Sequence, residues 1–293
     1  MPDGLVVVDK PAGWTSHDVV GRLRRVYGLR RVGHAGTLDP DATGVLLVGL
    51  GRATRLLRFL AEGGKAYHAR VVFGIATSTL DAAGEVVARE PMTLTRADVE
   101  GAAARFVGEI DQVPPMVSAV KVGGRRLYAL ARAGVEVERA PRRVRIDRIV
   151  VEDFEEGPFP VATLTVECGA GTYIRSLAAD LGAALGGCAH LGALRRLRVG
   201  SFTLDEARTL DAVAADPGAA VLPPAEAMRD LERVVVDAGQ VAAVAHGAVF
   251  APDSLAIGGP GPFALVSPAG ELLAVYERRG DAVAPAVVVA VAG

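Results

Sequence analysis

"GHAGTLDPDATGVLLVGLG", residues 33–51, runs from a glycine-rich loop into an apolar strand. Gly33, Gly36 and Gly44 surround a lone histidine, His34, and two carboxylates, Asp39 and Asp41, the first of them followed by Pro40. Proline disfavours the helical region for the residue before it, so Asp39 is expected to be extended. The flanking glycines let the backbone turn sharply or approach a ligand closely. A carboxylate held this way is poised to project into a cleft. The plainer reading is an Asp-Pro turn ahead of the strand, with His34 bonded to backbone and Asp41 solvated.

Working outward, "GLVVVDK" reads as a buried strand. "TSHDVVGRLRRVYG" follows with Val19, Val20, Leu23, Val26 and Tyr27 at helical spacing, capped by Thr15 or Ser16. Beyond the loop, "VLLVGLG" is a strand and "ATRLLRFLA" a helix. "KAYHARVVFGI" alternates, which puts Tyr67, Ala69, Val71, Phe73 and Ile75 on one face of a half-buried strand. "TRADVEGAAARFVG" is a helix capped near Thr95. Residues 110–145, with paired prolines, paired glycines and many arginines, read as a loop-rich excursion holding one short helix. "RVRIDRIVVEDF" and "PVATLTVEC" are strands, the second burying Ala162, Leu164, Val166 and Cys168. "GAGTYIRSLAADLGAAL" is a glycine turn leading into a helix that starts near Thr172. Strands and helices mix without strict alternation, which gives an α+β class in place of a doubly wound sheet.

The length of 293 residues fits one large domain and a small one. After about residue 230 the pattern becomes short apolar runs joined by turns such as "SPAG", a small all-β module. The division expected is 1–230 and 231–293. No apolar run approaches the ~20 residues of a membrane helix, and the N-terminus lacks the pattern of a signal peptide. The two cysteines, Cys168 and Cys188, supply neither a disulfide framework nor a four-cysteine zinc site. A cytoplasmic location is therefore expected. The net charge of −2 hides an asymmetry: residues 205–293 carry −7, which leaves +5 for residues 1–204. Within that part "RLRRVYGLRR", "KVGGRRLYALAR", "RAPRRVRIDR" and "LRRLRVG" are basic clusters. Such clusters with the acidity segregated elsewhere point to a polyanionic partner.

Arg175 breaks a local rule. With Thr172 as N-cap it occupies the third helical position, where a cation opposes the macrodipole at a cost of up to about 1 kcal/mol. Sequences break local rules at sites. Arg175 makes sense as the partner of a buried carboxylate, with Tyr173 lying at the same cleft.

"KPAGWTSHDVV", "RRVGHAGTLDPDATGVLLVGLGRATR", "KAYHARVVFG", "TSTLDAAGEV", "QVPPMVSAVKVGGRRLYALARAGVEV" and "ECGAGTYIRSLAADLG" stand in the order of the TruB family, which the chain closely resembles from residue 4 to about 205. These are bacterial synthases that convert uridine 55 of the tRNA TΨC arm to pseudouridine. The resemblance implies a mixed, largely antiparallel catalytic domain followed by a small PUA-like domain. It makes Asp39 the catalytic aspartate, Arg175 its arginine partner and Tyr67 the tyrosine that stacks on the uracil and is a proposed proton acceptor. It sets His34 against the flipped nucleotide, and Tyr173 and Leu194 along the uracil pocket. It implies tRNA as partner, no cofactor or metal, no membrane, and a monomer. Phosphate contacts are expected from the basic clusters in residues 121–148 and 195–198. Three rivals remain: an RNA-binding module without chemistry, a synthase for another RNA, and a metal-dependent hydrolase using His34, Asp39 and Asp41.

Overall fold

A computed structural model describes residues 2–116, 121–122, 125–126 and 137–289. The described chain forms two compact units: residues 1–40, 44–62 and 199–293 make the first, and residues 41–43 and 63–198 the second.

The first unit begins with β1 (Gly4–Lys10), helix α1 (Ser16–Tyr27), β2 (Val32–Ala35) and β3 (Thr43–Leu50), then a 3-10 turn over Gly51–Leu56 and helix α2 (Leu57–Glu62). β1 and β3 pair antiparallel with Val6 opposite Val48, and β2 adds His34 opposite Val48. Both runs are continuously apolar because both faces are covered. Val6, Val8, Leu46, Val48 and Leu50 pack with Val19, Val20 and Leu23 of α1. Leu5, Val7, Val45 and Leu47 pack the other way, with Leu56, Phe59 and Leu60. α1 starts in a capping box: Thr15 accepts from the Asp18 N–H, and Asp18 accepts from the Thr15 N–H. It ends at Gly28, left-handed with φ +62°.

The second unit is built on antiparallel pairing. β4 (Lys65–Phe73) is followed by the hairpin β5 (Ile75–Thr77) and β6 (Val86–Arg89), helix α3 (Arg96–Ala104) and β7 (Gly108–Gln112). Two short paired strands, β8 (Lys121–Val122) and β9 (Arg125–Arg126), precede β10 (Arg142–Glu155) and β11 (Val161–Cys168). Helix α4 (Ile174–Ala184) and β12 (Ala189–Val199) complete the unit. The order is β12-β4-β11-β10-β7. Ala162, Leu164, Val166 and Cys168 are buried, as the alternation predicts. Tyr67, Ala69, Val71 and Phe73 are likewise buried, but Gly74, at φ +79°, ends the strand and assigns Ile75 to the next one. α3 carries the expected cap at Thr95. The short helix predicted within residues 110–145 falls outside the described residues.

The chain then returns to the first unit through β13 (Phe202–Thr203), α5 (Leu210–Ala215) and α6 (Pro224–Ala227). β14 (Glu232–Val235), α7 (Ala238–Ala245), β15 (Phe263–Val266), β16 (Leu272–Arg279) and β17 (Ala282–Val288) follow, the four strands paired in that order. The C-terminal part is small and strand-rich. It departs from the sequence reading at one place, because "AGQVAAVA" is a helix and not a strand. Asp237 accepts from the Gln240 N–H at 2.9 Å while Gln240 accepts from the Asp237 N–H at 3.2 Å, a capping box that overrides the short apolar run. Among the described residues no helix is long and apolar enough to cross a membrane.

Candidate active site

Asp39 sits half-buried in the first unit, and both of its neighbours are tied down. Lys10, at the end of β1, has no exposed surface. Its ammonium donates to the carbonyls of Pro11 at 2.9 Å, Trp14 at 2.5 Å and Pro40 at 2.8 Å. The Gly13 N–H adds a second bond to the Pro40 carbonyl at 3.0 Å. On the other side, the buried Ser16 hydroxyl accepts from the Leu38 N–H at 2.9 Å and donates to the Leu38 carbonyl at 3.2 Å. "KPAGWTS" and "TLDP" are thus two halves of one clamp, a link that sequence spacing does not reveal. His34 is half-buried on β2, and its ring stands edge-on to His17 with centroids 6.1 Å apart.

Tyr67 lies buried in β4 of the second unit, opposite Val166. The Arg196 guanidinium, 1% exposed, is hydrogen-bonded to the Tyr67 hydroxyl. Lys65, two residues before Tyr67, is buried too and donates to the Gly63 carbonyl at 2.8 Å. Burial, with Arg196 nearby, depresses its pKa to about 8. These facts correct the expected phosphate surface at 195–198: Arg196 points inward, and Arg198 pairs with Glu167 at 3.0 Å. Further along, Arg143 pairs with Asp111 at 2.9 Å, Arg145 with Asp147 at 2.6 Å and Arg148 with Glu167 at 3.7 Å. Much of the basic charge in 142–148 is therefore matched within the protein.

The start of α4 also departs from expectation. The N-cap is Tyr173, not Thr172, so Arg175 is the second helical residue. No side chain of the N-cap residue caps the helix. Instead the Gln112 amide brackets Tyr173, accepting from its N–H at 2.9 Å and donating to its carbonyl at 3.2 Å. Ser176 donates to the Val113 carbonyl at 2.8 Å. Arg175 is buried and reaches Asp81 at 3.4 Å and the Thr79 carbonyl at 3.3 Å. Asp81 is itself held by the Thr79 hydroxyl at 2.5 Å and the Ala83 N–H at 3.1 Å. Asp81 and Arg196 are the residues that sequence reasoning missed. The signal for Asp81 was the one aspartate in "TSTLDAAGEV"; Arg196 was hidden among its basic neighbours.

The second unit therefore gathers Tyr67 on β4, Tyr173 and Arg175 on the α4 that packs against β4, and the half-buried Leu194 on the adjacent β12. His34 and Asp39 belong to the first unit. Among the described residues no three or more His, Cys, Asp or Glu side chains are placed to share a metal ion, which removes the support for His34, Asp39 and Asp41 as a ligand set.

The family model described as TruB family pseudouridylate synthase (N terminal domain) matches residues 24–174, more than half of the chain. The chain belongs to the TruB family. A second model, the tRNA pseudouridylate synthase B C-terminal domain, matches residues 175–237. TruB relatives include the tRNA pseudouridine synthase B of Symbiobacterium thermophilum, 55% identical over 84% of this chain and 82% of that protein. The one from Thermobifida fusca is 49% identical over 99% of both. Among solved structures, a Cbf5-Nop10-Gar1 complex matches 99% of this chain and 85% of its own, with TM-score 0.77 and 29% identity. An H/ACA RNP bound to a substrate RNA containing 2′-deoxyuridine matches 99% and 86%, with TM-score 0.76 and 27% identity. The resemblance drawn from the motifs and the α+β class with an antiparallel-rich sheet both hold for this TruB chain.

Proposed function

We propose that this chain isomerises uridine to pseudouridine in tRNA, at position 55 of the TΨC arm, with Asp39 as its catalytic carboxylate. The observation that carries the reading is the clamp on Leu38 and Pro40. A fully buried ammonium and a buried hydroxyl are spent on holding the two neighbours of one aspartate. A mere turn needs neither. The names of relatives as close as 55% identity support tRNA as the substrate.

The reaction breaks the bond from ribose C1′ to uracil N1 and remakes it to C5. Nothing is oxidised and no group is gained. It requires an ionised carboxylate, a pocket for the detached base and an acceptor for the C5 proton. Asp39 supplies the carboxylate. Arg175 supplies the positive charge that favours its ionised form, and Asp81 positions that arginine. Tyr67 stacks on the uracil and accepts the proton. His34, Tyr173 and Leu194 hold the extruded nucleotide, whose flipping costs a few kcal/mol. The division of labour follows residues 1–230 for catalysis and 231–293 for the PUA-like part, in a cytoplasmic monomer.

The test is a tRNA transcript tritiated at uridine C5. Bonding C5 to ribose expels the label to water. The parent should release it at position 55 and Asp39→Asn should not. Binding of tRNA without release from either would instead favour an RNA-binding module.

A further inference from the structure

Among the described residues Arg196 is the largest side chain with less than 2% of its surface exposed. Interior arginines are rare, because a guanidinium loses much hydration and is never neutralised by losing its proton. Its position on β12 is therefore costly, and a role is expected for it. A guanidinium carries five donors and no acceptor. In the bond between Arg196 and Tyr67 the phenol oxygen is thus the acceptor, and the phenol hydrogen is not used in that bond. We propose that Arg196 is the positioning residue that makes Tyr67 a proton acceptor, by stabilising the phenolate form of its hydroxyl. The inference rests on the role given to Tyr67 above.

The charges around Tyr67 within its unit agree with this. Lys65 precedes it by two residues on β4 and is buried like it. Cys168 lies opposite Lys65 on β11, and burial pushes its thiol up to about 11, so it stays neutral. Arg175, with Asp81, stands on the helix packed against β4, and Arg198 is matched by Glu167. The Lys65 and Arg196 cations repel, and negative charge on the Tyr67 oxygen stabilises Arg196. Neutral phenol cannot accept a proton usefully. Phenolate can: it takes the C5 proton to become phenol, the C–H electron pair restores the C5–C6 double bond, and N1, freed of the ribose, takes a proton from solvent. The phenol then returns its proton to solvent before the next turnover.

The experiment is single-turnover tritium release across pH for the parent, Arg196→Lys, Arg196→Met, Tyr67→Phe and the double variant Tyr67→Phe/Arg196→Met. Arg196→Met should slow release about 100-fold at neutral pH, within the usual range for a lost acid–base partner. Its rate should recover as pH rises, with the ascending limb moved up by about one unit or more. Arg196→Lys should restore most of the rate. Once Tyr67 is Phe, removing Arg196 should cost less than about two-fold more. A Met profile that merely runs parallel below the parent, or additive losses in the double variant, would overturn the proposal. A second readout needs neither catalysis nor a folded Met variant. Ultraviolet titration of the parent minus Tyr67→Phe should show a phenol ionising below the ordinary tyrosine value of about 10. Ionisation at or above that value overturns the proposal. Absence of tritium release from the parent overturns the synthase reading itself, while the titration still reports on Arg196 and Tyr67.

Discussion

Replacing Lys10 by methionine keeps the length and apolar stem of the side chain and removes only the ammonium. Three carbonyls lose a charged donor. Pro40 keeps its bond from the Gly13 N–H, exposed Pro11 can turn its carbonyl to water, and the carbonyl of half-buried Trp14 loses the donor it had. At about 1–3 kcal/mol for an orphaned group, the Trp14 carbonyl sets a loss of about 1–3 kcal/mol. Part returns because a buried ammonium no longer has to be desolvated. The net destabilisation expected is about 1–2 kcal/mol, read as a lower urea midpoint. The catalytic effect should be larger in proportion. Asp39 keeps its anchor at Leu38 but loses the ammonium at Pro40, and a misplacement of about 1 Å can cost about 100-fold. Single-turnover release from saturating tRNA should fall by about that factor, with tRNA affinity within roughly two-fold of the parent. A variant with the parent's urea midpoint and rate would refute the clamp. A variant that loses affinity in place of rate would show that Lys10 serves binding and not Asp39.

Asp81→Asn keeps the shape beside Arg175 and removes the charge. Because Asp81 is partly exposed, the stability loss should be about 1–3 kcal/mol, below that of a fully buried pair. Release should slow at least about ten-fold with little change in KM, and an unchanged rate would remove Asp81 from the positioning of Arg175. Two helical glycines should respond with opposite signs to alanine. A Cβ at Gly101 meets nothing within 4 Å, so Gly101→Ala should stabilise by about 0.5–1 kcal/mol. One at Gly182 runs into the Ala189 nitrogen and the Cys188 carbonyl carbon, so Gly182→Ala should destabilise despite the same propensity gain. Paired urea melts check both, and equal signs would refute the packing. Burial lowers the Lys65 pKa from 10.5 to about 8, so the unfolded chain binds its proton more tightly than the folded one. Parent stability should therefore rise with pH between about 8 and 10. Any advantage of Lys65→Met below pH 8 should shrink by up to about 3 kcal/mol across that window, and a gap that does not change with pH would count against the burial.

Much of the local structure was legible without the fold. Thr15 and Thr95 mark their helices because capping is a contact within four residues. Alternation exposed the buried faces of β4 and β11, and the motif around Asp39 marked the candidate site and the TruB resemblance. The misreadings have the same kind of cause. Residues 238–245 were read as strand because a short apolar run fits either state, and only the bracket of Asp237 and Gln240 decides it. Thr172 was read as the N-cap because sequence could not show Gln112, distant along the chain, holding Tyr173. Arg196 looked like one more surface cation beside Arg195 and Arg198.

What sequence alone determined is the set of local elements and the chemical type of the site, because capping, alternation and motif spacing depend on neighbours in the chain. What tertiary structure decided is which charges are buried and what they hold: Lys10 on the Pro40 carbonyl, Arg175 on Asp81, Arg196 on Tyr67. Each of those pairs joins residues 30 or more positions apart. Whether a cation there is solvated or buried depends on packing that sequence patterns do not encode.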